Sequence, residues 1–434
     1  MFKTLVNAFK VEQLRKRIFY TFWILVIVRL GCQIPIPGID VAQVQAYLES
    51  VVGSSYSFID SFTGGSFLSM SVFALSVTPY ITSSIIMQLL TIAIPALEEM
   101  HRDGEDGRKK MNQITRYVSV VLAIIESAGL SIGFSRQGAL GETGVFAIMT
   151  IIVTLTAGSC IIMWLGERIT DRGIGNGISL LIMIGIVARL PYALVAEVGT
   201  KLSTTAGGGP IALIVELIIW FLVIVATIAL VQAVRKVPVQ YAKRVIGNRQ
   251  YGGVRQYIPL KINAAGVMPI IFAQALMLFP LLFARFDATR GIAASLSNYT
   301  GFWYNLIFGL MVVIFTYFYT AVTVNPTMMA EDMKKNGGFI PGVKPGKATV
   351  NYLDEIMSRV TLPGSIFLAI IAILPAFARI AGVNDSFASF YGGTSLLILV
   401  GVVLDTLQQV ESYLLMRHYD GLMKTGRLSG RSGM

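Results

Sequence analysis

Apolar runs of about 17 to 25 residues recur along the whole chain, separated by polar or glycine-rich stretches. The runs do not alternate apolar and polar residues at period two, as half-buried strands would. Each is long enough to cross a hydrocarbon layer about 30 Å thick. In lipid every backbone N–H and C=O must be satisfied within the segment, so the runs are predicted to be helices. The pattern predicts ten spans. The first five are Ile18–Ile34, Val72–Ile94, Tyr117–Phe134, Val145–Leu165 and Ile174–Ala188. The second five are Ile211–Val234, Ile262–Phe283, Tyr304–Val324, Leu362–Ala378 and Thr394–Met416. Arg172 and Arg189 bracket the fifth and are expected at its headgroup boundaries; Pro79, Gly185, Pro269 and Pro375 punctuate spans. An odd set of five makes the two halves antiparallel, although no convincing sequence similarity between them is visible.

Three connections are not short turns. The stretch Asp40–Ser71 lacks Lys and Arg, and its part Ser57–Met70 is too apolar for water and too interrupted to span a bilayer. A short re-entrant helix buried in the protein would suit it. Residues 235–261 carry Arg235, Lys236, Lys243, Arg244, Arg249, Arg255 and Lys261 with no acidic residue. Residues 325–361 carry five basic residues around Gly337-Gly338 and Pro341-Gly342-Val343-Lys344-Pro345-Gly346. Such loops are either determinants of topology or docking surfaces for an acidic partner.

Composition and charge sharpen this picture. Of 434 residues 54% are hydrophobic and 14% charged, and the mean hydropathy is +0.69. A soluble chain could not cover so much apolar surface with so few charges. The net charge of +11 is distributed unequally. Of 35 Lys and Arg, 28 fall in the N-terminal segment, the loops after even-numbered spans and the tail. The opposite loops hold six, namely Arg136, Arg189, Lys201, Arg285, Arg290 and Arg379, and Arg29 alone lies inside a span. The positive-inside rule then places both termini in the cytoplasm. Lys10, Arg15, Lys16 and Arg17 before Ile18–Val28 imitate a signal peptide, but no small-x-small site follows, so an uncleaved first span is expected.

Catalytic chemistry is hard to place. His101 and His418 are the only histidines, and there is no HExxH, no paired intramembrane carboxylates and no Ser/His/Asp pattern. Cys32 and Cys160 have no metal-type spacing and read as reduced core thiols, so neither a metal nor a cofactor is expected. The run Asp171-Arg172-Gly173-Ile174-Gly175-Asn176-Gly177 lacks the P-loop lysine and reads as a tight turn opening the fifth span. Arg29, Glu126, Glu216, Asp405 and Glu411 are the charges within spans; each should face protein, water or a boundary. So scattered a set makes a poor ion relay, which disfavours a secondary transporter, and an intramembrane enzyme lacks its residues. Val77 and Ile81 share one face of the second span, as Ile178 and Ile182 do on the fifth; simple helix packing accounts for such spacing.

Seven blocks in order resemble one family. They are Ile34-Pro35-Ile36-Pro37-Gly38-Ile39-Asp40, Phe62-Thr63-Gly64-Gly65, Pro79-Tyr80-Ile81-Thr82-Ser83-Ser84-Ile85-Ile86, and Gly166-Glu167-Arg168-Ile169-Thr170 continuing to Gly177. Tyr241-Ala242-Lys243-Arg244, Asn325-Pro326 and Gly392-Gly393-Thr394-Ser395-Leu396-Leu397-Ile398 complete the set. On them the chain resembles the SecY/Sec61α family, the channel subunits of protein translocases.

The resemblance implies an all-α polytopic membrane protein of ten transmembrane helices, in two inverted five-helix halves around a central pore. It implies a cytoplasmic segment 1–17, halves 18–195 and 196–416, a plug at 57–70, docking loops 235–261 and 325–361, and a tail 417–434. By position, Val77, Ile81, Ile178, Ile182, Ile271 and Ile398 match the pore ring, with Val77 standing where isoleucine is common. Phe58, Phe62, Gly64, Gly65, Phe67 and Met70 match the plug, and Thr82, Glu126 and Gln274 lie on helices that match the lateral gate. Arg235, Lys236, Lys243, Arg244, Arg249 and Lys344 match the partner-docking surface. Lys344 departs from the usual arginine of its turn and lacks the guanidinium fork. The implied function is passage of unfolded secretory polypeptides across the bacterial cytoplasmic (inner) membrane, with lateral release of transmembrane segments into lipid. The implied partners are SecE and SecG, the SecA motor or the ribosome (including its RNA), signal sequences and nascent chains, and membrane lipids.

Overall fold

The computed structural model describes residues 9–39, 41, 43–44, 63–102, 105–136, 144–203, 209–241, 244–246, 249–251, 255–277 and 300–425. It divides into two compact units, Met1–Pro191 with Val402–Met434, and Tyr192–Gly401. Among the described residues seven helices are long and apolar enough to cross a membrane, within Lys109–Arg136, Val145–Arg172, Gly177–Leu202, Gly209–Gln232, Phe302–Lys335, Lys347–Ile380 and Gly393–Met416. They coincide with seven of the spans drawn from hydropathy. The first, second and seventh spans hold the shorter helices Glu12–Gly31, Thr78–Ala93 and Met268–Leu276.

The first unit opens with α1 (Glu12–Gly31), then α2 (Thr78–Ala93), α3 (Pro95–Arg102), α4 (Glu105–Arg136) and α5 (Val145–Arg172). Helix α6 (Gly177–Ser203) begins in this unit. The polarity of α4 is inside-out: Thr115, Ser119, Ala123, Ser127 and Ser131 are buried at four-residue intervals, while Val121, Ile124, Ile125 and Ile132 are exposed. Small residues let membrane helices approach closely, and no water penalises the exposed aliphatic face. Ser127 Oγ lies 3.2 Å from Thr156 Oγ1 on α5, and Ser119 Oγ donates to Met163 Sδ at 3.6 Å.

The glycine-rich turn opens α6, as its sequence suggested, but it is also stitched into the unit. The Ile174 amide donates to Thr21 Oγ1 on α1 at 3.1 Å, and the Gly177 amide to Thr170 Oγ1 at 2.9 Å. Asn176 Oδ1 accepts from the Ile178 amide at 3.1 Å, capping the new helix. The Gly175 amide donates at 2.9 Å to Gln409 Oε1 on the last helix, Gly393–Thr425. A Cβ at Gly177 would lie 1.8 Å from the Gly166 carbonyl oxygen, so only glycine lets α6 start this close to α5.

The second unit contains α7 (Gly209–Gln232), a small sheet, α8 (Met268–Leu276), α9 (Phe302–Thr323), α10 (Pro326–Lys335) and α11 (Lys347–Ile380). It ends with α12 (Asp385–Ala388) and the start of α13 (Gly393–Thr425). Helix α7 is also inside-out: Glu216, Val223, Thr227 and Leu230 are buried, whereas Ile214, Ile218, Phe221 and Leu222 are exposed. Helices α8, α9, α11 and α13 share a core of Ile270, Phe308, Val312, Leu368, Ala372 and Leu397.

The second and seventh spans do not start as helix: Val72–Val77 and Ile262–Val267 are turns, and Pro79 and Pro269 stand in the first helical turn instead of punctuating a helix interior. Proline lacks a donor and is favoured where the helix has no use for one. The connection 235–261, expected as a loop in an all-helical chain, contains strands. There β1 (Val234–Tyr241) pairs antiparallel with β4 (Arg255–Lys261), Val237 opposite Ile258. Strands β2 (Arg244–Ile246) and β3 (Arg249–Tyr251) pair beyond them, and β5 (Gly338–Phe339) joins β1 on its other edge. Val237, Val239 and Leu260 are buried against Met333, Ile340, Leu353 and Met357. Of the segment Ser57–Met70, residues 57–62 lie outside the described residues; Thr63 is helical and residues 64–70 form turns, with the Ser69 amide donating to Gly65 O at 3.2 Å and the Met70 amide to Phe67 O at 3.1 Å.

Candidate functional site

Val77 caps α2 and is 2% exposed, and the Ile81 amide closes the first turn onto the Val77 carbonyl at 3.0 Å. Ile178 and Ile182 stand one turn apart on α6, and Ile178 Cγ1 would lie 3.0 Å from a Cβ placed at Gly166. In the second unit Ile271 is half-buried on α8 and Ile398 is buried on α13. Their immediate predecessors Ile270 and Leu397 belong to the helix-packing core, so the two isoleucines are turned away from that cluster's centre.

A repeat emerges at this point that hydropathy concealed. Val77-Thr78-Pro79-Tyr80-Ile81 and Val267-Met268-Pro269-Ile270-Ile271 occupy the same position, each straddling a turn-to-helix junction. The capping valines have closely similar backbone angles, φ −93° and ψ 6° for Val77, φ −93° and ψ −15° for Val267. Each proline is thus followed two residues later by a proposed ring isoleucine. A five-residue match is too short to detect from sequence without knowing where the helices begin.

Of the plug candidates, Phe58 and Phe62 lie outside the described residues. Gly64 and Gly65 have φ +66° and +92°, and Phe67 and Met70 are buried in a cluster with Ile36, Leu75, Phe134 and Leu155. Among the gate candidates, Thr82 Oγ1 donates to its own helix, to Thr78 O at 3.0 Å, and Glu126 is half-buried on α4. Gln274 on α8 keeps Oε1 buried without a hydrogen-bond partner.

Of the docking candidates, four fall on strands. Arg235 and Lys236 are exposed on β1. Arg244 lies on β2 and Arg249 on β3; Lys243 lies outside the described residues. Lys344 is exposed between β5 and α11, in a turn tied by Thr349 Oγ1 donating to its carbonyl at 3.0 Å.

Sequence reasoning missed one buried ionic cluster. Lys201 Nζ lies 2.7 Å from Glu216 Oε1 and 3.7 Å from Glu197 Oε1, and donates to Gly382 O at 3.0 Å. Glu197 Oε2 accepts from the Asn384 amide at 2.8 Å, and the Tyr391 hydroxyl donates to the Glu216 backbone carbonyl at 2.7 Å. Burial, then the charges of Glu216 and Glu197, raise the Tyr391 phenol far above the ordinary tyrosine range, so it remains a donor. The cluster ties α6 and α7 to the connection before α13. Glu216 had been recognised as a charge needing a partner, but nothing in its spacing from Lys201 identified it.

Residues 71–407 match the SecY family model. A protein translocase subunit SecY of Streptomyces scabiei is 41% identical over 98% of this chain and 100% of its own length. The chain belongs to the SecY family. Its counterpart in Corynebacterium glutamicum is 40% identical over 97% of this chain and 99% of its own. Among solved structures, a protein-conducting channel superposes with a TM-score of 0.60 at 18% identity, covering 92% of each chain. Sec61 of the canine ribosome–channel complex gives 0.57 at 18% identity with the same coverage. The family fold is therefore that of a multi-pass helical membrane channel.

Proposed function

We propose that the chain conducts unfolded polypeptide through a membrane and releases transmembrane segments laterally into lipid, with the driving energy supplied by a partner. The observation that carries this reading is SecY-family identity along almost the entire chain, through every element just described. The conduit's constriction is assigned to Val77, Ile81, Ile178, Ile182, Ile271 and Ile398, its plug to 57–70, and its lateral gate to helices bearing Thr82, Glu126 and Gln274. A conduit for varied sequences needs contact without selectivity. Aliphatic side chains offer dispersion without hydrogen-bond preference, and they leave water and ions no polar partner at a narrow point. The halves are read as 18–195 and 196–416, and the setting as a bacterial cytoplasmic membrane with both termini inside. SecE and SecG are the expected companions, and SecA or the ribosome the expected source of force. The ribosome-bound canine homologue supports the ribosome among these. In reconstituted vesicles, an arrested secretory chain should crosslink to a photoreactive residue at position 81 or 182. Transport of a small solute under an ion gradient, with no polypeptide crosslink, would instead indicate a carrier.

The cations of 235–261 and 325–361 are read as the docking surface. Arg235 and Lys236 have no acidic residue in their own connection, which leaves their charge to an outside partner. Replacing Arg244 and Lys344 together by Glu should weaken motor or ribosome binding several-fold at low salt, with the difference shrinking as salt rises. Folding should be spared at Lys344, which is exposed and outside the buried cluster beneath the sheet. Titration of both partners against the double variant checks this, and unchanged affinity for each would remove the loops from docking.

A further inference from the structure

Arg29 is the one basic residue inside a span drawn from hydropathy, and it stands in the last turn of α1, where a guanidinium is costly unless something uses it. Its Nη1 donates to the carbonyl of Gly64 at 3.1 Å, 35 positions along the chain. Gly64 is also packed against α6. A Cβ on it would lie 2.5 Å from Gly185 Cα and 2.7 Å from Gly185 O on α6, and 2.8 Å from Arg29 Nη1. The backbone of the turn segment thus rests directly on the backbone of α6, with the guanidinium closing over it.

The rest of the segment is seated by neutral contacts and by the burial of Phe67 and Met70. Ser69 Oγ reaches Cys32 O at 3.4 Å, the Ile36 amide donates to Met70 O at 3.0 Å, and the Val72 amide to Ile34 O at 2.9 Å. Two non-glycine residues at its exit, Met70 and Ser76, have φ of 43° and 48°, left-handed conformations that cost energy and persist only where surroundings impose them. Seated contacts therefore oppose backbone strain. Among the described contacts just named, the Arg29 bond is the one made by a charged donor, the strongest kind.

We propose that Arg29 is the latch of the plug: its bond to Gly64 holds Thr63–Met70 seated, and breaking that bond releases the segment. The proposal rests on the reading of this segment as the plug. One hydrogen bond to a charged donor corresponds to about a ten- to a hundredfold change in the seated-to-unseated ratio.

The test uses the full chain, purified with its own partner subunits and placed in planar bilayers, with resting ion conductance as the readout. R29M, which keeps the length of the side chain and removes every donor, should raise resting conductance by at least about tenfold. R29K, which retains the charge but not the fork, should give a smaller rise. G64A forces a methyl group against the Gly185 backbone and the Arg29 guanidinium together and should unseat the segment. Export of a substrate with a weakened signal sequence should also increase in R29M, a gain that mere misfolding cannot produce. A leaking G64A beside a tight R29M would overturn the latch and leave the plug standing. Tight membranes with both variants would overturn the plug reading as well. If R29M fails to fold, R29K decides: conductance and weak-signal export both at the parent level would overturn the latch.

Discussion

Replacing Lys201 by methionine is expected to cost about 3–5 kcal/mol of unfolding free energy, among the largest single-residue losses this fold can show. The ammonium and its two carboxylates are 5%, 11% and 0% exposed, so water cannot take the cation's place. Methionine keeps the volume of the stem but leaves Glu197 and Glu216 facing one another without their cation. It also removes the donor to Gly382 O, loosening the connection that Asn384 and Tyr391 anchor from the other direction. E216Q should be much milder, because Lys201 and Glu197 remain as a neutral pair and the amide can still accept from the ammonium. Denaturant unfolding of the purified protein, following Trp220 fluorescence, measures both. Trp220 reports on this region because its Nε1 donates to Phe390 O at 2.9 Å and its ring lies 5.6 Å from that of Phe387. Equal losses in the two variants would mean that the cluster acts through shape and not through charge.

The spans were legible because crossing a bilayer demands length and apolarity, and both are written in every stretch such as Gly209–Gln232. Where helices begin was less legible. Val72–Val77 and Ile262–Val267 are as apolar as the helices they precede, and burial inside protein asks the same composition of a turn as of a helix. Pro79 and Pro269 did carry the signal, since proline marks a helix start as readily as a kink. In the connection 235–261, the alternation of Val237 with Val239 and of Ile258 with Leu260 announced strands, but the run of cations drew the reading toward a loop. Thr21 and Gln409, which hold the amides of Ile174 and Gly175, could not be recognised: their partners lie 153 and 234 positions away. The proposed ring was invisible to spacing for a different reason. Aliphatic residues four apart on a helix look the same whether they face a neighbouring helix or a channel, and the proposal that they face a channel rests on family resemblance, not on periodicity.

Replacing Ile81, Ile182 and Ile271 together by glycine should make the resting membrane permeable to ions without any polypeptide substrate. The expectation follows from what an aliphatic constriction does: it excludes water by offering no polar partner in a space too narrow for a hydration shell. Glycine removes the whole side chain at each position, widening the constriction and exposing backbone polar groups to solvent. The helices should survive. Ile81 and Ile271 lie in the first turns of α2 and α8, where glycine's propensity cost is about 1 kcal/mol each, added to the packing lost at two half-buried positions. Ile182 is 8% exposed, and its truncation adds a cavity cost of about 2–5 kcal/mol. A second triple variant carrying leucine at the same positions separates shape from sealing. Leucine has the same volume and hydrophobicity, so it should keep the membrane tight despite its different branching. Planar-bilayer conductance of the two variants beside the parent decides the matter. Glycine should open a steady current and leucine none, whereas parental conductance in the glycine variant would remove these isoleucines from the seal.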